Sequence, residues 1–236
     1  LSCFDPVRRE AARQTLAELV ADGRIDPVRI EEVHDKATRN LEQTCIQSAQ
    51  EVIDELGLRG IARELLPTIG ALRYRTSFGQ NMLEHSAECA KLAGAMASEL
   101  GLEVETCRKA AFLHDLGKAV ITHGEGSHAL EGAELARRHG QDDVVVHAIA
   151  AHHNEVAAET AVDVLVQAAD AISSSRPGAR HESVDAYVRR LERLEEIATR
   201  RPGVERAYAM QAGREIRVMV LPERVDDRAA QQLARQ

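Results

Sequence analysis

The chain has 236 residues, with 30 basic and 38 acidic side chains, a formal net charge of −8 at pH 7, 3% aromatic residues and no Trp. This length is sufficient for a substantial core, and the abundance of Ala, Leu, Val, Glu and Arg favours packed helices. The acidic balance excludes nucleic-acid binding through bulk charge, so that any site for a polyanion must be local.

The first predicted element is a helix that begins at Asp5-Pro6 and ends at Asp22-Gly23. Asp suits the cap, Pro the first helical position and Gly the position after the end. Asp26-Pro27 repeats the start signal. The polar stretch 30–56 that follows is expected to be a long, rather exposed helix that serves as a connector more than as a core element.

Further helices are predicted near 60–73, 78–100, 103–117, 128–140, 142–153, 160–174 and 181–200. Ser77 and Ser127 are expected caps, and Gly101, Gly117 and Gly140 expected terminators. Residues 204–211 and 214–220 have strand character and flank a Gly-containing turn, which predicts a β-hairpin. Asp226-Asp227 is expected to cap a short terminal helix.

Histidines and aspartates are spread over these helices in an order that suits a metal centre. The central motif is His114-Asp115 at a predicted helix end, with His85 upstream and His128, the pair His152-His153 and Asp170 downstream. A lone His is usually a surface or hydrogen-bonded core residue. Imidazoles and carboxylates together, however, are the ligand set of a borderline divalent cation, which generates a nucleophilic water near neutral pH.

Asp170 is the member of this set that is hardest to explain without a metal. It interrupts an otherwise apolar helix, where a carboxylate is costly unless it is paired with a buried Arg, placed at a helix end or bound to a metal. His114 and Asp115 diverge by about 100° on an ideal helix. A helix end at Gly117 would let both reach one site, where the two oxygens of Asp115 could bridge two ions.

The ordered set of His85, His114-Asp115 and Asp170 resembles the HD superfamily of metal-dependent phosphohydrolases. The segments 74–81, 114–118, 125–128, 150–153, 167–173, 176–180 and 211–217 narrow the resemblance to the ribonuclease Y family of bacterial endoribonucleases. The resemblance implies a mainly α fold, with an all-helical HD core, a small C-terminal β-hairpin and an N-terminal helical extension.

The resemblance also assigns site residues. The expected metal ligands are His85, His114, Asp115, His128, His152 and Asp170, with His152 preferred over His153. The expected catalytic residues are Asp115, Lys118 and His153, the last in phosphate contact or acid–base work. Lys118, Arg73, Arg75, Arg176 and Arg180 are expected to bind phosphate, although exposed Lys and Arg are common without such a role. One or two ions are expected: Mn²⁺ or Mg²⁺ from the family, with Zn²⁺ or Fe²⁺ also suited to the ligands.

The resemblance further implies four regions: a remnant of an RNA-binding KH domain (1–24), a helical connector (25–57), the HD domain (58–203) and the hairpin with a short helix (204–236). The family implies cleavage of single-stranded RNA in mRNA decay, a homodimer and contacts with other RNA-decay proteins. Cys3, Cys45, Cys89 and Cys107 lack Cys-x-x-Cys spacing and are interpreted as reduced core thiols of a cytoplasmic protein. The first residue is Leu, so a fragment is expected. It should make no membrane contact, whereas its parent would be anchored to the cytoplasmic face of the membrane.

Two alternatives remain open at this point. A nucleotide or cyclic-dinucleotide phosphodiesterase would use the same HD chemistry on a smaller substrate. A non-catalytic scaffold would keep the histidines for a structural metal. RNA cleavage is preferred to the first by the motifs outside the metal set, and to the second by the intact ligand set.

Overall fold

The structure, a computed structural model, describes residues 1–77, 79–121, 126–176, 184–210, 215–221, 223–226 and 229–230, without the side chains of 184–190. Its α-helices are α1 (Pro6–Asp22), α2 (Pro27–Leu56), α3 (Leu66–Ala71), α4 (Met82–Leu100), α5 (Val104–Leu113), α6 (His128–Arg138), α7 (Asp143–Ala151), α8 (Ala161–Ser175) and α9 (Val184–Thr199). Two short antiparallel pairs join β1 (Thr76–Ser77) to β2 (Gln80–Asn81) and β3 (Val204–Met210) to β4 (Glu215–Val220). The predicted mainly α fold is confirmed.

The chain forms two compact units, residues 1–180 and 181–236. In the first unit, α4 packs against α5 and α8, and α7 packs against α5, α6 and α8. Their shared core contains Phe112, Leu113, Leu116, Ile149 and Val166. Many core positions are Ala, such as Ala90, Ala93, Ala110, Ala133 and Ala169. These short side chains let the helices approach closely, which brings residues on different helices to one point.

The second unit consists of α9 and the predicted β-hairpin. Strand β3 pairs with β4 from Val204↔Val220 to Met210↔Glu215, with an irregularity near Arg206. Helix α9 packs on both strands. The boundary between the two compact units therefore lies at 180/181, whereas the expected regions place a boundary at 203/204. The hairpin turn lies outside the described residues, as does most of the predicted terminal helix, where Asp226 Oδ1 accepts from the backbone N–H of Ala229.

Several local predictions were correct because their signals are local. Asp5 accepts from the backbone N–H groups of Val7 and Arg8, Asp26 from that of Arg29, and Ser127 from that of Leu130. Gly101 ends α4 with a left-handed φ of 69°.

Other local predictions were wrong. Helix α4 begins at Met82 because Asn81 caps it, whereas Ser77 lies in β1. The helix expected near 60–73 is broken into a 3₁₀ turn, the short α3 and a second 3₁₀ turn (Leu72–Tyr74). The C-terminal half of α2 is not an exposed connector, because Ala49, Ile53 and Leu56 enter the core. Of the four cysteines only Cys3 is exposed, so it is not a core thiol.

Candidate metal centre

Five helices deliver the six predicted ligands to one buried point. His85 lies on α4, His114 and Asp115 follow the last residue of α5, His128 opens α6, His152 follows α7, and Asp170 lies on α8. Burial is nearly complete at the centre, where His114 is 0% and Asp115 1% exposed. The sequence thus correctly predicted that these residues converge.

The turn after α5 has a different origin from the one expected. The helix ends at Leu113, four residues before Gly117, and Gly117 belongs to a 3₁₀ turn (Leu116–Ala119). A Cβ on Gly117 would clash with the backbone carbonyl oxygen of His128 and lie 2.8 Å from the backbone nitrogen of Gly132. Glycine is therefore required for close packing against α6, and this packing brings His128 to Asp115.

One oxygen of Asp115 faces His114 and His85, which together with Asp170 and Asp115 form the first group of candidate ligands. Asp115 Oδ2 lies 3.4 Å from His114 Nε2 and 3.7 Å from His85 Nε2. Asp170 Oδ1 lies 3.1 Å from His85 Nε2 and 3.9 Å from His114 Nε2. Ligands bound at about 2.1 Å to one cation are separated by about 3.0–3.4 Å. These four residues are therefore spaced to share an ion after small adjustments.

The other oxygen of Asp115 faces His128 and His152, which together with Asp115 form the second group of candidate ligands. Asp115 Oδ1 lies 3.4 Å from His128 Nε2 and 3.7 Å from His152 Nε2. The His153 ring is adjacent, with its centroid 4.1 Å from that of His152 and 4.9 Å from that of His128. The two groups meet at the Asp115 carboxylate, which presents one oxygen to each.

Several of the atoms that face this point have no hydrogen-bond partner within the described residues. They are His114 Nε2, Asp115 Oδ1, His128 Nε2 and His152 Nε2. Buried polar atoms are normally satisfied, because burial without a partner is costly. The Nδ1 atoms of His114 and His152 bond to the carbonyl oxygens of Ala111 (2.7 Å) and Ile149 (2.6 Å). Each carbonyl accepts Nδ1–H, so Nε2 is the nitrogen that each ring presents to a cation. The residues therefore fit a divalent metal.

The electrostatics of the centre keep its acids charged. Burial raises the pKa of Asp170, but the hydrogen bond from His85 outweighs it and lowers that pKa to about 2. Burial likewise opposes charge on Asp115, yet His114 and Lys118 hold its pKa well below the ordinary value.

The histidines divide into two kinds. Burial lowers the pKa of His128 to about 4 and that of His152 to about 3, so both rings are neutral at pH 7. Burial also disfavours charge on His114, but the adjacent Asp115 carboxylate prevails and raises the pKa of His114. At neutral pH the second group thus offers two neutral imidazoles, which is the form that binds metal.

A cavity of about 270 Å³ gives access to the cluster. It is lined by Ser77, Gln80, Met82, His85, Lys118, His128, His153, Asp170 and Ser174. Lys118 Nζ lies 2.7 Å from Asp115 Oδ2, and its side chain is 25% exposed. Lys118 and the exposed His153 can therefore reach both the cluster and a molecule in the cavity.

The predicted arginines lie elsewhere, as far as the structure describes them. Arg73 and Arg176 line a second cleft, of about 660 Å³, where Arg73 donates to Ser48 Oγ (2.8 Å) and Arg176 Nε lies 2.5 Å from Glu88 Oε1. Arg75 donates to the carbonyl oxygen of Ile121 (3.2 Å), and burial lowers its pKa. Arg180 lies outside the described residues.

Sequence reasoning missed the residues that support the ligands. Ser173 and Glu88 connect to His85, and Cys89 lies 3.7 Å from both ring nitrogens of His85. Glu88 is three residues after His85, and Ser173 is three residues after Asp170. Because residues three apart share a helix face, this spacing could have identified both.

Comparison with known proteins agrees with the site. The HD domain family matches residues 82–175, a range that contains all six predicted ligands. Ribonuclease Y of Salinispora tropica is 59% identical over 235 residues, and the match covers the whole chain and 40% of that protein. The corresponding values are 54% identity and 44% coverage for ribonuclease Y of Cutibacterium acnes, and 58% and 48% for that of Acidothermus cellulolyticus.

The chain belongs to the ribonuclease Y family. It spans less than half the length of these ribonuclease Y relatives. No solved structure matched the chain. Within the described residues no helix is both long and apolar enough to cross a membrane.

Proposed function

We propose that the chain is the catalytic part of a metal-dependent endoribonuclease that cleaves single-stranded RNA in mRNA decay or processing and leaves 5′-monophosphate and 3′-hydroxyl ends. The observation that carries the proposal is the buried cluster around Asp115, whose Nε2 and Oδ1 atoms converge on one point without a hydrogen-bond partner in the described part of the chain. Relatives at 54–59% identity are named ribonuclease Y, which supports RNA as the substrate.

In this proposal His85, His114, Asp115 and Asp170 hold one divalent cation, and Asp115, His128 and His152 hold a second. Bound cations would supply Lewis acidity and a nucleophilic water near neutral pH. Mn²⁺ or Mg²⁺ is the expected ion, although imidazole ligands also suit Zn²⁺ or Fe²⁺.

The other residues of the cavity position the substrate and move protons. The Lys118 ammonium, 2.7 Å from Asp115 Oδ2, can donate to a non-bridging phosphoryl oxygen and stabilise its developing charge. His153 is exposed at the cavity, so it can contact phosphate or transfer a proton to the leaving oxygen. Asp115 contributes to catalysis by holding Lys118 and the ligands together.

RNA beyond the scissile phosphate would contact basic side chains outside the cavity. Arg73, Arg75, Arg176 and Arg180 are the proposed phosphate contacts. Within the described residues Glu88 pairs with the Nε of Arg176, and the terminal nitrogens of Arg176 are the proposed phosphate donors. We further propose that residues 1–24 are the end of a KH domain, that the protein is a homodimer that contacts other RNA-decay proteins, and that the whole protein acts at the cytoplasmic face of the membrane.

Cleavage of a labelled single-stranded RNA tests the proposal. With Mn²⁺ the unsubstituted chain should cut RNA internally, and a chelator should stop the reaction. Asp115→Ala should lose at least about 10³-fold in rate, as expected when a ligand that also orients a catalytic group is removed. Asp143→Ala is the matched control, because Asp143 is an exposed Asp in the first turn of α7.

Cyclic dinucleotides are the second substrate in the same assay. Turnover of these alone would replace the RNA assignment with the phosphodiesterase alternative. No turnover of either substrate by a metal-loaded, folded chain would leave the scaffold alternative.

A further inference from the structure

A chain of hydrogen bonds connects the first group of ligands to the surface. His85 Nδ1 lies 2.9 Å from Ser173 Oγ, Ser173 Oγ donates to Glu88 Oε2 at 2.7 Å, and Arg176 Nε lies 2.5 Å from Glu88 Oε1. Gln80 Nε2 also donates to Ser173 Oγ, at 3.2 Å. Ser173 is 0% exposed, and the buried Cys89 thiol is a further hydrogen-bond partner of its hydroxyl.

The direction of these hydrogen bonds follows from Glu88. Burial raises the pKa of Glu88, but the bonds from Ser173 and Arg176 prevail and lower it, so its carboxylate is ionised and only accepts. The single hydroxyl proton of Ser173 therefore points to Glu88. The lone pairs of Ser173 must then accept the N–H groups of Gln80 and His85. His85 accordingly carries a proton on Nδ1, which leaves Nε2, the nitrogen that faces Asp170 and Asp115, as the one that a cation can use.

We propose that Ser173, oriented by Glu88 and Arg176, is a positioning residue that fixes the ring and tautomer of His85 for metal binding. Ser173 replaces the backbone carbonyl that performs the same task for His114 and His152. Unlike a carbonyl, it transmits the charge of a carboxylate, which makes Nε2 a stronger donor. The inference rests on the metal centre of the proposed function.

We call the hydrogen-bonded chain of His85, Ser173, Glu88 and Arg176 the relay. The positions of its residues in the helices explain why a side chain, and not a backbone carbonyl, must orient His85. His85 lies inside α4, where the backbone carbonyls are engaged in helix hydrogen bonds, whereas His114 and His152 follow the ends of α5 and α7. Ser173 lies one turn after Asp170 on α8, and Glu88 one turn after His85 on α4. The relay therefore ties the two helices that supply His85 and Asp170 to the same ion.

Metal affinity tests the relay independently of RNA cleavage. Calorimetric titration of the metal-free chain with Mn²⁺ should show Ser173→Ala and Glu88→Gln binding one ion about 10- to 100-fold more weakly than the unsubstituted chain. The visible spectrum of the Co²⁺ form should shift in both variants, because His85 is no longer held in place. Ser175→Ala is the matched control: it is exposed on the same helix, and among the described residues its Oγ bonds only to the Ile172 carbonyl oxygen (3.4 Å). It should bind within twofold of the unsubstituted chain.

The possible outcomes separate the relay from the metal centre. If the unsubstituted chain binds no divalent cation, the metal centre is refuted and the relay falls with it. If it binds Mn²⁺ but Ser173→Ala binds equally well with the same spectrum, only the relay is refuted. If Ser173→Ala does not fold, Glu88→Gln is the decisive variant, because the Glu88 side chain is 30% exposed and its substitution disturbs the core less. Unchanged affinity in Glu88→Gln would then overturn the proposal.

Discussion

The carboxylate of Asp115 presents Oδ1 to His128, with 3.4 Å between that oxygen and His128 Nε2. Its other oxygen faces His114 at the same distance. One buried side chain therefore belongs to two groups of ligands. The number of ions that these candidate ligands could hold depends on this double role.

The first prediction concerns metal content. Asp115→Asn should remove both ions, because it takes a charged ligand from both groups, whereas His128→Ala should remove only the second. Metal analysis after dialysis against Mn²⁺ and gel filtration measures this directly. The unsubstituted chain should hold two ions, His128→Ala one and Asp115→Asn none. Two ions in His128→Ala would contradict the assignment of His128.

The second prediction separates the neighbours His152 and His153. His152 is buried and its Nδ1 is fixed to the Ile149 carbonyl oxygen, whereas His153 is exposed. His152→Ala should weaken Mn²⁺ binding at least about tenfold. His153→Ala should bind Mn²⁺ normally but cleave RNA about 10²- to 10⁴-fold more slowly, as expected for the loss of an acid–base group. The reverse pattern would exchange the two roles.

The third prediction tests the close packing at Gly117. Gly117→Ala should lower the free energy of unfolding by about 1–3 kcal/mol, because the new methyl group meets the backbone of α6 and cannot be accommodated by a rotamer change. Urea denaturation of the metal-free chain measures the loss.

Gly94→Ala is the control for this experiment. A Cβ at Gly94 would meet the Arg108 side chain, with Cγ at 2.7 Å, and that flexible side chain can move. Alanine also has the higher helix propensity, so the control should be within about 1 kcal/mol of the unsubstituted chain. Equal losses in both variants would mean that backbone contact at Gly117 has no special role.

The fourth prediction concerns pH and lies away from the metal centre. Asp163 caps α8: its Oδ2 accepts from the backbone N–H groups of Glu159 (2.9 Å) and Thr160 (2.8 Å) and lies 3.1 Å from His147 Nδ1. Burial raises the pKa of Asp163, but these hydrogen bonds outweigh burial and lower it. Asp163→Ala should therefore cost about 1–2 kcal/mol of unfolding free energy at pH 7.

The pH dependence follows from the sign of that shift. The pKa is lower in the folded state than the ordinary value of about 3.9, so the stabilisation is complete above that value and disappears as pH falls through the folded pKa. The unfolding free energies of the unsubstituted chain and of Asp163→Ala, measured between pH 7 and pH 2, should converge only at the acid end. Asp142→Ala is the control, since Asp142 makes no capping hydrogen bond through its side chain. A constant difference at all pH values would show that the charge of Asp163 is not involved.

Local signals predicted part of this architecture. The caps at Asp5, Asp26 and Ser127 were identified because a cap depends on residues within one turn. The hairpin of β3 and β4 was identified because strand preference and a glycine turn are equally local. The ligand residues were predicted from the resemblance to the HD superfamily, with separate support at Asp170 from the cost of a carboxylate in an apolar helix.

Tertiary packing decided the rest. Only the approach of α6 shows that Gly117 is needed for contact and not for ending α5. Only the placement of the helices turns Arg73 and Arg176 toward a second cleft and selects His152 over His153 as the buried imidazole.

The pairing of Ser173 with His85, 88 positions apart, is of the same kind. The sequence by itself determined most of the helices and the side chains that could bind a metal, since these depend mainly on residue type and on neighbours along the chain. Which atoms face one another was decided by the tertiary structure, because the distance between residues on different helices depends on how the whole core packs.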